Sequence, residues 1–369
     1  MSTPLRVAMT LTQDWHSVPG GTATAANALA SAVADDARVD LVGVGPAGPR
    51  PGEPFTPPVP TESLGLRLPW LYDSWDKLRQ PRVTSASGPV DLVHLTIPIA
   101  CPRDRVPMVA TVHDVLPLTM PEMFTRRGAK LMARGLGRIR DEAAIVMVPS
   151  ELGAREFEAQ GFDPSRLAVV PLGVDAEVAP QRSAVEAARR AHGLESDYVL
   201  FVGTSEPRKG LDVLIDAFER LDRPGLVLAV AGPSGWGEDM GPRLDALGER
   251  CRRLGFLESG ELNALRCGSA VCCLPSRAEG FGLPVLEAMA AGAPVVTTEG
   301  TPMAEFAHGV AWLVPVGDSE ALAQSLADVL DDPEVADAMR AEGVQRAGEY
   351  SWRRTAAAVV DVYDRVFAG

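Results

Sequence analysis

At 369 residues the chain is long enough for two domains, each burying a core of its own. Its 46% hydrophobic and 23% charged residues fit a globular protein, and no apolar run reaches the roughly 18 residues that a membrane helix needs. A net charge of −14 repels nucleic acid and anionic lipid at long range, so nucleic acid is not an expected partner.

Residues 5–11 (LRVAMTL) predict a buried strand that follows directly on the N-terminal MSTP, with no signal-peptide pattern, and the expected location is cytoplasmic. A polar loop, 12–18, precedes Pro19, Gly20 and Gly21, and residues 22–34 read as a small-residue helix. Gly20 and Gly21 then sit at a strand-to-helix turn, where main-chain amides can meet a phosphate or an acceptor; a plain tight loop is the other reading. Residues 39–45 are the next strand. Gly43, Gly45 and Gly48 spell G-x-G-x-x-G, but a dinucleotide fingerprint needs a helix to open at the third glycine, and the prolines from Pro46 to Pro60 exclude one. That proline-rich stretch reads as a long surface loop.

Residues 64–82 carry Trp70, Tyr72 and Trp75 among Arg67, Lys77, Arg79 and Arg82, which reads as a crossover helix packed on the sheet, with an amphipathic membrane-surface element as the alternative. Residues 91–96 and 108–113 are strands, the second ending in V-H-D. His113 thus lies at the carboxyl end of a strand, where an open α/β sheet gathers ligand-binding groups; Asp114 either orients its ring or caps the next segment. A helix from Arg126 carries Arg126, Lys130, Arg134 and Arg138 on one face. This face is either solvated and balanced by Glu122, Asp141 and Glu142, or it contacts a phosphate-bearing or lipid-linked acceptor. Strands at 145–150 and 167–172 close the first half, residues 173–175 mark a hinge, and 181–192 form a helix.

The second half opens with a strand at 198–203, the loop T-S-E-P-R-K-G (204–210) and a helix at 211–221. Arg208 and Lys209 in a strand-end loop are placed to neutralise a diphosphate. Only Lys77, Lys130 and Lys209 among the 35 basic residues are lysines, so an amine here goes against the habit of the chain. A strand at 226–232 runs into the glycine-rich loop 232–237. A strand at 270–274 leads into PSRAEGFGLPVLEAMAAGAPVV (275–296), where Glu279 and Glu287 bracket Gly280, Gly282 and Pro284. Pro284 suits the first helical position, and the amides of Phe281, Gly282 and Leu283 form an anion site at the helix start. Carboxylates beside an anion site accept hydrogen bonds from hydroxyls, so the ligand carries both hydroxyls and phosphate: a sugar nucleotide. Strands at 294–298 and 311–316, a turn at 298–302 bordering the nucleotide, and helices from Ser319, Glu334 and Trp352 complete the chain.

The five cysteines form no C-x-x-C pair and read as reduced core residues, and the five histidines show no H-x-x-x-H spacing. With no D-x-D present, no metal site is expected.

The run E-G-F-G-L-P-V-L-E followed by A-x-G-x-P-V-V resembles the signature of the group 1 family of retaining, nucleotide-sugar-dependent glycosyltransferases. The resemblance implies an α/β GT-B fold, two Rossmann-like doubly wound domains facing a central cleft. The first would span residues 1–174 and be completed by a C-terminal helix, 350–369; the second, 175–349, would bind the donor. It implies transfer of a hexosyl group from a nucleoside diphosphate sugar, a substrate rather than a cofactor, to the hydroxyl of a glycan, a lipid-linked sugar or a small molecule. Peripheral contact with the inner membrane face is compatible with it. The family keeps a glycine pair where this chain has Gly20 and Gly21, a histidine near the transferred sugar where it has His113, and a phosphate-contacting lysine where it has Lys209. Many members also carry arginine directly after the strand glycine, here Gly203, where this chain has Thr204; Arg208 is the substitute cation. The G-T-x-E-P-R-K loop resembles a mannosyl-transferring branch and favours GDP-mannose. Glu279, His113, Arg208 and Lys209 are then the expected catalytic set, and Gly203, Thr204, Phe281, Gly282, Leu283 and Glu287 the donor-binding set. A UDP-sugar donor, a sugar-nucleotide epimerase and a non-catalytic nucleotide-sugar-binding subunit are the alternatives.

Overall fold

The computed structural model describes residues 3–368 apart from 18, 53, 176–179 and 236. Val18 and Trp236, in two of the loops considered above, therefore lie outside the described residues, as do the four that follow Asp175. The chain divides into one unit made of residues 1–173 with 352–369 and another made of 174–351.

The first unit is a seven-stranded sheet in the order β3-β2-β1-β4-β5-β6-β7. Its strands are β1 (Leu5–Thr10), β2 (Val39–Gly45), β3 (Thr61–Ser63), β4 (Leu92–Leu95), β5 (Met108–Thr111), β6 (Ile145–Val148) and β7 (Leu167–Val169), all parallel. Every residue of β4, β5 and β6 is buried, as expected for strands covered on both faces. The order reverses between β1 and β4, which makes their carboxyl ends the switch point where such sheets bind ligands.

The proline-rich stretch is more than a loop, because it delivers the edge strand β3, with Thr61 opposite Gly43. The glycines of the false fingerprint make room for packing. A Cβ on Gly43 would lie 2.4 Å from Thr61 Oγ1, and one on Gly45 would lie 2.7 Å from the Trp15 ring. The helix Trp70–Lys77 turns Leu71, Tyr72 and Trp75 into the core, so two of its three aromatics serve packing; Trp70 remains 69% exposed.

The helix Gly20–Ala34 begins two residues before the expected start, so both glycines belong to its first turn. Helix Arg126–Glu142 is capped by Thr125, whose hydroxyl accepts from Gly128 N at 3.2 Å. Its basic face is balanced by the helix Trp70–Lys77 rather than by acids at its own ends. Arg134 grips Asp76 with two bonds of 2.9 and 2.7 Å, Arg138 reaches the same carboxylate at 3.3 Å, and Arg127 meets Asp73 at 2.8 Å. Glu142 is taken by Arg79 and Asp141 by Arg140. Asp73 and Asp76 stand about one helical turn apart, distant in sequence but alongside in space. Arg126 and Lys130 are exposed and have no charged partner among the described residues.

The C-terminal helix Trp352–Ala368 completes the first unit. Its Tyr363 hydroxyl meets His94 Nδ1 at 2.6 Å, and His94 Nε2 meets Thr111 Oγ1 at 2.8 Å, all inside the core. Burial lowers the His94 pKa to about 3, so the ring stays neutral and a neutral hydrogen-bond chain ties the helix to β4 and β5. Thr355 Oγ1 donates to Pro171 O at 2.8 Å.

The second unit is a six-stranded parallel sheet in the order β10-β9-β8-β11-β12-β13. These strands are β8 (Tyr198–Val202), β9 (Val227–Ala231), β10 (Cys251–Gly255), β11 (Val271–Leu274), β12 (Val295–Thr298) and β13 (Trp312–Val314). The switch point falls between β8 and β11. All five cysteines are free; Cys101, Cys272 and Cys273 are core residues, but Cys251 and Cys267 are only half-buried. Among the described residues no helix is long and apolar enough to cross a membrane.

Candidate functional site

At the carboxyl edge of the second sheet, three loops are pressed main chain against main chain. A Cβ on Gly232, after β9, would lie 2.1 Å from Gly203 O, after β8. Gly210 ends the short 3-10 turn Pro207–Lys209 in the left-handed region, φ 67°, and its Cβ would lie 2.1 Å from Pro275 O, after β11. Only glycine serves there on both counts. Arg277 draws the segments after β8 and β11 together, since its N–H donates to Arg208 O at 2.7 Å and its guanidinium holds Asp212 at 2.7 and 2.6 Å.

This packing delivers Glu279 into a cage of donors. Lys209 Nζ lies 2.6 Å from its Oε1, Ser276 Oγ donates to the same oxygen at 2.8 Å, and Arg208 Nη1 lies 3.0 Å from Oε2. The other edge of Arg208 meets Glu206 at 2.7 Å. Burial alone would raise the Glu279 pKa, but the adjacent Lys209 and Arg208 outweigh it and hold the carboxyl at about 2. For Glu206 burial prevails, and its pKa is raised despite Arg208 and Lys209. Arg208 and Lys209, expected to stand ready for phosphate, are thus already engaged by carboxylates, and Glu279 reaches the cations of the site directly.

The helix Leu283–Ala290 starts beside this cluster. Its N-cap is Gly282, left-handed at φ 100° and seated on Met303, where a Cβ would lie 2.2 Å from Cγ. Pro284 therefore occupies the second helical position, not the first. Phe281 packs on Phe306 and Tyr350, with centroids 5.1 and 6.3 Å away, which anchors the turn that presents the amides of Phe281, Gly282 and Leu283. Glu287, one turn further on, is half-buried and ion-paired with Arg266 of the helix Ser259–Cys267. In the turn expected to border the nucleotide, the Thr298 hydroxyl donates to Ser276 O at 2.7 Å and that of Thr301 to Thr298 O at 3.0 Å. Both are occupied in holding the loop. Gly203 and Thr204 follow β8 directly.

His113, Gly20 and Gly21 lie in the first unit, on the carboxyl edge of its own sheet. His113 is half-buried just after β5, and burial lowers its pKa to about 4, leaving a neutral ring that can donate and accept. Asp114 caps the following turn, accepting from Leu116 N at 3.0 Å. Among the described residues, and apart from the adjoining backbone, no atom lies within 4 Å of a Cβ placed on Gly20 or Gly21. Asp14, 2% exposed, accepts from Asn27 Nδ2 of the helix Gly20–Ala34 at 3.2 Å, while its Oδ2 has no hydrogen-bond partner among the described residues; burial pushes its pKa up to about 7.

Sequence reasoning missed Glu206, Ser276, Arg266 and Asp14. Glu206 and Ser276 sit inside motifs that had drawn attention to their neighbours. Arg266 had a signal, an arginine in the helical, otherwise uncharged run L-N-A-L-R-C. Asp14 had none.

Residues 185–346 match the family model of glycosyl transferases group 1, and residues 19–178 that of glycosyltransferase family 4. The chain is 35% identical over 295 residues to a D-inositol 3-phosphate glycosyltransferase of Corynebacterium glutamicum (strain R), covering 72% of this chain and 68% of that protein. It is 26% identical over 264 residues to O-antigen chain mannosyltransferase B of Escherichia coli, 69% of each. Among solved structures it is similar in fold to Anabaena HepE in complex with UDP and glucose, with a TM-score of 0.77 at 19% identity over 98% of this chain and 100% of that one. For some relatives the matched share is smaller, 58% of the Corynebacterium urealyticum enzyme of the same name. With both halves matched and the two Rossmann-like sheets in place, the chain belongs to the group 1 glycosyltransferases and has their GT-B fold.

Proposed function

We propose that this protein transfers a hexosyl group from a nucleoside diphosphate sugar to an acceptor hydroxyl, with retention of anomeric configuration and without a metal ion, mannose from GDP-mannose being the favoured donor. The observation that carries the reading is the buried cluster of Lys209, Arg208 and Ser276 around Glu279, next to the amides at the Gly282 helix start. As the glycosidic bond breaks, negative charge grows on the departing diphosphate. Two cations and a helix start in a water-poor site stabilise that charge. Glu279, with both oxygens engaged and its pKa near 2, is a weak base and a weak nucleophile; its role is to hold the cations. Glu287, steadied by Arg266, accepts hydrogen bonds from ribose hydroxyls, and the neutral His113 ring serves a sugar hydroxyl. The G-T-x-E-P-R-K loop and the likeness to O-antigen chain mannosyltransferase B support mannose. A UDP-sugar is the second reading, since HepE, similar in fold, was solved with UDP-glucose.

The test is nucleotide release from GDP-mannose and from UDP-glucose over an acceptor panel, with and without EDTA. Release of GDP with formation of an α-linked product, unchanged within about twofold by EDTA, is the expected result. A rate that collapses under chelation and returns with Mg²⁺ sinks metal independence. Rearranged sugar formed from donor alone points to an epimerase, and donor binding with no turnover to a binding subunit.

A further inference from the structure

The four charged groups at the heart of the donor cluster, Glu206, Arg208, Lys209 and Glu279, sum to zero when all are ionised. Arg208 is the bridge, 2.7 Å from Glu206 and 3.0 Å from Glu279, while Lys209 stands 2.6 Å from Glu279. The side chains of Glu206 and Glu279 are only 3% and 7% exposed. Arg277 cannot replace a displaced cation, since it is held by Asp212 and Pro207 O.

A diphosphate brings two negative charges into this neutral set. When Arg208 and Lys209 turn to it, the two carboxylates lose their counter-charge and remain buried. A buried carboxylate without a partner does not stay ionised, because desolvation favours the acid. The two are not equivalent. Glu279 keeps the Ser276 hydroxyl as a donor, and for Glu206 the sole side-chain ion pair among the described residues is with Arg208. The charged groups facing Glu206 are Arg208 and Lys209 on its own turn and Glu279 from the loop before helix Leu283–Ala290. Burial already raises its pKa despite both cations.

We propose that Glu206 takes up one proton from solvent as the donor diphosphate binds, and that its neutralisation releases Arg208 to the phosphate. The inference rests on the donor reading above. Donor affinity is then linked to pH by a residue that touches neither sugar nor base.

The experiment is titration calorimetry of the full chain with GDP-mannose and with UDP-glucose, in pairs of buffers of different ionisation enthalpy. Nucleotide sugars lack the second phosphate ionisation near 6 of a monoester, so the ligand adds no proton of its own. The expected result is uptake of about 0.5 to 1 proton per ligand at neutral pH, with Kd rising up to about tenfold per pH unit on the alkaline side. Glu206→Gln should abolish the uptake and flatten the Kd profile. Should that variant not fold, infrared difference spectra of the wild type decide the matter, through the protonated-carboxyl band that appears on binding. Binding without proton exchange, the same uptake in Glu206→Gln, or no such band overturns the proposal and leaves the donor reading intact. Failure of both nucleotide sugars to bind overturns both.

Discussion

Glu279 and Glu287 sit eight residues apart in one motif, yet Glu279 is caged by Lys209, Arg208 and Ser276 whereas Glu287 meets Arg266, which separates their roles. Glu287 is half-buried with one arginine, and in the proposed donor pose it meets ribose hydroxyls, which stay bound throughout the reaction. Glu287→Ala should raise nucleoside diphosphate Kd by roughly tenfold to a hundredfold, matching about 1.5 to 3 kcal/mol for charged hydrogen bonds, with a smaller change in kcat. Glu279→Gln should do the reverse, leaving GDP or UDP affinity unchanged or tighter, since the diphosphate no longer competes for Lys209 and Arg208, while kcat falls. Calorimetry beside steady-state kinetics distinguishes them; a Glu279→Gln variant that loses as much nucleotide affinity as Glu287→Ala refutes the division. Lys209→Ala should lower kcat by roughly 10²-fold or more.

For elements, the helix Arg126–Glu142 offers a test in which one half of a stripe is the control for the other. Arg134 and Arg138 share Asp76, so losing Arg134 from its exposed position should cost under about 1 kcal/mol and leave kinetics alone. Reversing Arg126 and Lys130 to glutamate should raise acceptor KM, with donor Kd unchanged and an effect that fades with salt. Acceptor kinetics indifferent to that reversal make the face merely solvated. The sequence could show the stripe but not its balance, because Asp73 and Asp76 lie more than fifty positions away. The same limit runs through the fold. Buried runs such as Y-V-L-F-V and V-C-C-L announced β8 and β11, whereas β10, C-R-R-L-G, is a partly exposed edge strand with two arginines, and β3 is three residues directly after a proline-rich stretch. In the site, the motifs around Arg208, Lys209 and Glu279 named each residue. That the three hold one another across 70 positions is a product of glycine-only loop contacts that no local pattern encodes.

On the scale of the molecule, buried titratable groups give the first unit a pH signature. His94 and His113, lowered by burial from 6.5 to about 3 and about 4, bind fewer protons folded than unfolded. Their contribution is complete above 6.5 and declines as pH falls through 6.5, down to about 4 for His113 and about 3 for His94. Asp14, raised from 3.8 to about 7, works in the other direction: its contribution is complete below 3.8 and is lost as pH rises towards 7. Asp14→Asn should therefore stabilise the protein at pH 8 and lose that advantage by pH 4, with a steeper acid limb, as read by thermal unfolding across pH. An advantage that is the same at both ends means that Asp14 is ionised in the folded state.

The helix Trp352–Ala368 belongs to a unit whose other residues are all made before position 174. On the ribosome the second unit is therefore complete first, and the earlier-made unit waits about 10 to 40 s, at 5–20 residues per second, for its last element. Until Tyr363 emerges, His94 lacks one of its two partners and the sheet lacks one of its covering helices. A chain stopped at residue 351 should hold a protected second unit beside a first unit whose β4 and β5 amides exchange rapidly. For this protein the synthesis of the helix Trp352–Ala368, rather than of the strands made first, sets the moment at which the first unit can close.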